Sequence, residues 1–270
     1  MGAVRMLVAD VDGTLLRDDK TLAPSTVAAV RKLREAGIAF TLASARPPLG
    51  LRDIAAKLGV RGPCAAFNGG VLTEPHLGTQ RGMSTLSGKL TEPVAELLAG
   101  HGLDMWAYCG LEWLVLDPRG RRVDWEAECV GFRPRVIRDW GELPGRPAKL
   151  TGVGDDSDPG AVLDAGAAVS STFRTALSAS PSTRFYLDIT PPGTDKGYAV
   201  RELAQLAGVP LRSVAVIGDG YVDIPMFLEH GVGLGIAMGN APDTVKMMAT
   251  AVTSDNEHDG FAEAVREYVL

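Results

Sequence analysis

Asp10 and Asp12 stand two residues apart in Asp10-Val11-Asp12-Gly13-Thr14, directly after the apolar run Val4 to Ala9. A carboxylate nucleophile can split phosphoester hydrolysis into two easier steps through an acyl phosphate. A second carboxylate beside it can protonate the leaving oxygen and later deprotonate the attacking water. Two bare carboxylates repel a phosphate, so this chemistry needs cations. Mg²⁺, a hard ion that takes one or two protein carboxylates, bridges such a group to a phosphoryl oxygen. The plainer readings are a strand-ending turn or a calcium loop. An EF-hand loop from Asp10 would carry Glu at its twelfth position, where this chain has Thr21.

Three later segments offer what such a pair lacks. In Ala43-Ser44-Ala45-Arg46-Pro47 a hydroxyl and a backbone N–H could hold phosphoryl oxygens, although a serine there is usually only a turn residue. Lys196, in Thr194-Asp195-Lys196-Gly197, opens a helix, where the backbone dipole and a full positive charge both favour an anion. Asp219 and Asp223, in Gly218-Asp219-Gly220-Tyr221-Val222-Asp223, follow another apolar strand. Asp219 is a candidate metal ligand, and Asp223 reaches the same ion through a water or simply caps its helix. The four histidines, His76, His101, His230 and His258, have no metal-ligand spacing and read as structural or surface residues.

The elements that position these groups follow from periodicity. Val4 to Ala9 reads as a strand buried on both faces of a parallel sheet. A helix from Pro24 to Gly37, a strand Ile38 to Ala43, a short helix ending at Gly59 and a strand Cys64 to Phe67 come next. The alternation resumes with a helix Gly197 to Ala207, strands Ser213 to Ile217 and Val232 to Ala237, and a last helix near Phe261 to Val269. This pattern predicts a doubly wound parallel α/β sheet whose ligands sit at the carboxyl ends of its strands. Between the halves the texture is α+β, with all four tryptophans, Trp106, Trp113, Trp125 and Trp140. We read residues 1–82 and 188–270 as the core and 83–187 as an inserted cap domain.

Composition agrees with a two-part soluble protein. The chain has 270 residues, 46% hydrophobic and 22% charged, enough to bury a core. Its formal charge of −6 argues against nucleic-acid and acidic-membrane partners, which call for excess Lys and Arg. Three scattered cysteines, no signal-peptide pattern and no transmembrane run point to the cytoplasm.

In order and spacing, Asp10 to Thr14, Ser44 with Arg46, Lys196 and Gly218-Asp219 to Asp223 resemble the four signatures of the haloacid dehalogenase superfamily. The insertion between the second and third, together with Phe67-Asn68-Gly69-Gly70, Gly239-Asn240-Ala241 and Val252-Thr253 through Asp259-Gly260, resembles the capped Cof-type branch. The resemblance covers both core segments, while the cap matches in size and position. It implies a phosphatase in which Asp10 is the nucleophile and Asp12 the acid/base, with the Asp12 backbone carbonyl also on Mg²⁺. It further implies phosphate binding by Ser44, Ala45 and Lys196, a metal site of Asp10, Asp12, Asp219 and Asp223, and a substrate pocket shaped by Arg46, Asn68 and Gly69.

Three positions depart from the family pattern. Ser44 replaces a threonine, Ala45 a glycine, and Val222 an asparagine that contacts phosphate. Small phosphate monoesters, sugar phosphates above all, are the expected substrates. A phosphomutase shares the chemistry up to its acceptor, and a ligand-binding relative would share the fold. A response-regulator receiver domain also pairs acids after its first strand, but it is phosphorylated at a later strand and lacks a large insertion. Trp106 and Tyr108 share a strand face and could stack on a sugar, although such pairs are more often core.

Overall fold

The computed structural model describes residues 3–74, 80–158 and 160–270. His76 lies outside the described residues. The core is a five-stranded, wholly parallel sheet in the order Ala251–Val252, Leu234–Ala237, Val214–Gly218, Met6–Ala9 and Ala39–Leu42. Met6–Ala9 sits inside the sheet and is buried along its whole length, which explains its unbroken apolar sequence. A single parallel bridge from Ala43 to Ala65 adds the edge at Cys64–Ala66.

Helices lie on both faces. Pro24–Glu35 starts with proline at its first position, where no N–H is needed, and Pro48–Leu58 closes on Gly59 in the left-handed region. Lys196–Ala207 is capped by the Asp195 carboxylate, which accepts from the Tyr198 N–H at 2.8 Å. The last helix changes character, with α geometry over Gly260–Ala264 and π geometry over Val265–Val269.

The cap is a six-stranded sheet in the order Ser178–Pro181, Tyr186–Thr190, Lys149–Val153, Asp104–Cys109, Glu112–Val115 and Arg135–Val136. Its pairs are antiparallel except the last, and helices Thr91–Gly100, Val123–Val130 and Ala161–Phe173 accompany it. The strand Tyr186–Thr190 crosses the expected division at 187/188 and pairs with Lys149–Val153 from Tyr186 to Ile189. The chain therefore leaves the cap sheet after Thr190. A small antiparallel sheet of Cys64–Ala66, Val71–Thr73 and Gln80–Met83 leads from core to cap.

One apolar cluster joins the two parts. Leu51, Ile54 and Phe67 of the core belong to the same cluster as Trp106, Tyr108, Trp113 and Val130 of the cap. Trp106 and Tyr108 are 2% and 3% exposed. Trp106 packs edge-on to Trp113 at 4.9 Å between ring centroids.

Candidate active site

Register brings the site together. Ala9 stands beside Ile217 on one neighbouring strand and Leu42 on the other. The Asp10 N–H donates to the Ile217 carbonyl and the Ala43 N–H to the Ala9 carbonyl, both at 2.9 Å. With strands about 4.8 Å apart, the residues that follow each strand, Asp10, Ser44 and Asp219, converge on one place.

Lys196 is 1% exposed, and its Nζ lies 2.5 Å from Asp10 Oδ1 and 2.6 Å from Asp223 Oδ1. The other Asp223 oxygen accepts from the N–H groups of Asp219 (2.9 Å) and Gly220 (2.8 Å), which fixes the loop carrying Asp219. Thr14 Oγ1 donates to Asp219 Oδ1 at 3.0 Å. Asn240 Nδ2 donates to the Gly13 carbonyl at 2.9 Å and to Asp219 Oδ2 at 3.3 Å. Gly13 has φ +79°, and a Cβ there would run into the Asp219 carboxylate, so glycine is required on both counts.

Carboxylate oxygens of Asp10, Asp219 and Asp223 come within 4.8 Å of one another. Burial, with Lys196 opposing it and Asp223 and Asp12 reinforcing it, raises Asp10 to about 7. Burial and the charges of Asp10 and Asp223 lift Asp219 well above the usual carboxylate range. Despite burial, Asp10 and Asp223 hold the Lys196 ammonium above its ordinary value. One ammonium does not balance three carboxylates, two of them buried and that of Asp219 half-buried. A hard divalent cation fits this trio and would favour its ionised form. Asp10 Oδ2 carries no hydrogen bond among the described residues, and the Asp219 oxygens accept only from the Thr14 hydroxyl and the Asn240 amide, whereas the Asp223 oxygens are held by the Lys196 ammonium and two backbone N–H groups and suit an outer role.

The Asp12 side chain turns away from the trio. Arg46 grips it bidentately, Nε to Oδ2 at 2.6 Å and Nη2 to Oδ1 at 2.8 Å, and Lys20 Nζ adds a contact at 3.0 Å. Burial alone would raise Asp12, but the hydrogen bonds and charges of Arg46 and Lys20 override it and hold the carboxyl well below its usual range. Arg46 Nη1 also donates to the Cys129 carbonyl at 2.8 Å, tying the core loop to the end of a cap helix. Ser44 is 1% exposed, and its Oγ accepts from the Arg46 N–H at 3.1 Å.

A cavity of ≈ 300 Å³ lies between core and cap. Asp10, Asp12, Ser44, Ala45, Arg46, Lys196, Asp219 and Asp223 all line it. Asn68 and Gly69, expected at the pocket, are not among its lining residues. Both are buried with positive φ, and Asn68 Nδ2 instead reaches Asp188 Oδ2 of the cap at 3.1 Å. The segment braces the two parts from behind the cavity. Trp106 and Tyr108 join both expectations, packed in the apolar cluster while an edge of each lines the cavity.

Several lining residues escaped the sequence reading. Lys149, 5% exposed, donates to Asp188 Oδ1 and to the Ala45 carbonyl, each at 2.9 Å. Tyr186 donates its hydroxyl to Glu126 Oε2 at 3.2 Å. Asn240 and Lys20 also line the wall. Asn240 is visible in the sequence only as part of a tail motif, and no motif marks Glu126.

Comparison with known proteins agrees with this geometry. The family model of haloacid dehalogenase-like hydrolases matches residues 7–265. A phosphoglycolate phosphatase of Methanoculleus marisnigri is 27% identical over 98% of this chain and 97% of its own length. A pyridoxal phosphate phosphatase of Escherichia coli is 25% identical over 98% of this chain and 99% of its own. The crystal structure of a haloacid dehalogenase-like hydrolase from Bacteroides thetaiotaomicron superposes with a TM-score of 0.84 at 27% identity, covering 97% of this chain and 98% of that one. The chain belongs to the haloacid dehalogenase-like hydrolase family, in its capped Cof-type branch.

Proposed function

We propose that this phosphoric monoester hydrolase is a Mg²⁺-dependent phosphatase of small phosphorylated metabolites, with Asp10 as nucleophile and Asp12 as acid/base. The observation that carries the reading is Asp10 itself: 6% exposed at a strand end and lining the cavity, with one oxygen held by Lys196 at 2.5 Å and the other without a hydrogen bond among the described residues. Family membership and the phosphatase activity of the relatives support it.

In the first step the free Asp10 oxygen attacks phosphorus, the ester P–O bond breaks, and the leaving oxygen takes a proton from Asp12. In the second, water attacks phosphorus, Asp12 takes back the proton, and the Asp10 carboxylate departs. Lys196 and the Ser44 hydroxyl bind phosphoryl oxygens throughout. Mg²⁺ held by Asp10 and Asp219, with the Asp12 backbone carbonyl and with Asp223 behind, would neutralise phosphoryl charge.

The closed arrangement suits the second step. Arg46 and Lys20 keep Asp12 ionised, as a base must be, whereas donating a proton requires that pair to open. Arg46 also bonds the Cys129 carbonyl of the cap, so movement of the cap would change the surroundings of the Arg46–Asp12 pair. The closed cap excludes bulk water from the phosphorylated aspartate.

Relatives act on esters whose leaving groups differ in charge, since glycolate carries a carboxylate and pyridoxal does not. For this chain, phosphate release from a panel of phosphorylated metabolites and an aryl phosphate, with and without Mg²⁺, tests the reading. Turnover that needs Mg²⁺ and vanishes in Asp10→Asn supports it. A folded protein that turns over nothing would point to a ligand-binding relative, with Val222 on the cavity wall as the first suspect.

A further inference from the structure

Every cation among the described residues that line the cavity is already held by a carboxylate. Lys196 is held by Asp10 and Asp223, Arg46 and Lys20 by Asp12, and Lys149 by Asp188. Glu126 differs. It projects from the cap helix Val123–Val130 into the same cavity and makes no ion pair among the described residues. Only the Tyr186 hydroxyl is seen donating to it, at Oε2, which leaves Oε1 open to a ligand. Thr151, Ser182, Thr183 and Tyr186, each bearing a hydroxyl, line the same cavity. A leaving group that enters here meets a carboxylate without an ion-pair partner and several hydroxyl-bearing residues, with no unpaired cation among the described lining residues.

We propose that Glu126 is a specificity-determining residue that selects leaving groups bearing hydroxyl or amine donors and no negative charge, and that it rejects esters carrying a second anion. This rests on the Asp10-centred reading above. Discrimination arises because Glu126 accepts a hydrogen bond from a neutral or cationic leaving group. It repels a carboxylate or second phosphate, whose burial without a partner is costly. At the separations such a cavity permits, one like charge in partly screened surroundings is worth about tenfold in binding.

The test compares kcat/KM for two monophosphates matched in length, sorbitol and gluconate each esterified at the terminal hydroxyl, which differ by an alcohol against a carboxylate. The wild type should prefer the sorbitol ester by about tenfold or more. Glu126→Gln should reduce that preference about tenfold, chiefly through KM for the gluconate ester, and Glu126→Asp should retain it. Structural damage would lower both substrates together and leave the ratio alone. An unchanged ratio in Glu126→Gln, or a wild-type preference for the gluconate ester, overturns the proposal while the Asp10 reading stands. An aryl phosphate that reports no Asp10-dependent turnover in the wild type overturns both.

Discussion

Lys149→Met should be among the most destabilising single changes in this protein. The Lys149 ammonium and the Asp188 carboxylate form an ion pair at 2.9 Å, with side chains only 6% and 1% exposed. Methionine keeps the length of the stem but leaves Asp188 charged and buried, with Asn68 at 3.1 Å and Thr151 at 3.4 Å as its remaining donors. Breaking a buried pair from one side costs about 3–5 kcal/mol. The Ala45 carbonyl loses its partner as well, at about 1 kcal/mol. Removing both charges in Lys149→Met/Asp188→Asn should recover more than half of the loss, because the penalty comes from the orphaned carboxylate. Urea unfolding of the four proteins closes the double-mutant cycle, with an expected coupling of at least about 2 kcal/mol. A Lys149→Met protein within about 1 kcal/mol of wild type, or a double variant no better than the single, would refute the reasoning.

Val222 lines the cavity at the position where the family resemblance implies an asparagine on the phosphate, so Val222→Asn should raise kcat/KM by about 1.5–3 kcal/mol of transition-state binding. An unchanged or lower value counts against that role. Gly13→Ala places a methyl group against Asp219 at a left-handed position, and Mg²⁺-dependent turnover should fall at least about a hundredfold while the far-ultraviolet circular dichroism stays wild-type. Retention of full turnover would mean that the loop relaxes freely. Burial, reinforced by Glu126, pushes the Cys129 thiol up to about 11, so its thiolate is scarce near neutrality. Its alkylation by iodoacetamide should be about a hundredfold slower than that of free cysteine at pH 8 and should climb about tenfold per pH unit. A rate like that of free cysteine would show that the cavity is open.

The core was legible because its chemistry sits where a strong pattern ends. An apolar strand running into Asp10, another into Ser44 and a third into Gly218-Asp219 announce carboxyl ends of a parallel sheet, and the left-handed Gly59 marks a helix end just as read. The cap was legible as texture but not as a site. Lys149 opens a strand, a place where a lysine is usually solvated, and only the pairing of Lys149–Val153 with Tyr186–Thr190 turns it toward Asp188. The apolar pattern of Leu187 to Thr190 would suit either domain, so the division at 187/188 could not be located without the hydrogen-bond ladder. Asn68 was noticed as part of a motif and assigned to the pocket, while its amide works behind it, because a motif gives position along the chain and not direction of the side chain. Strands as short as Val71–Thr73 and Arg135–Val136 carry too few residues to show a period.

The central claim is that the phosphoryl group rests transiently on Asp10. Acid quenching of the wild type during turnover of an aryl phosphate with Mg²⁺, followed by borohydride reduction and peptide mapping, tests it most directly. The account predicts reduction at Asp10 alone, dependent on substrate and absent from Asp10→Asn. Modification at another residue, or steady turnover by Asp10→Asn, would contradict it.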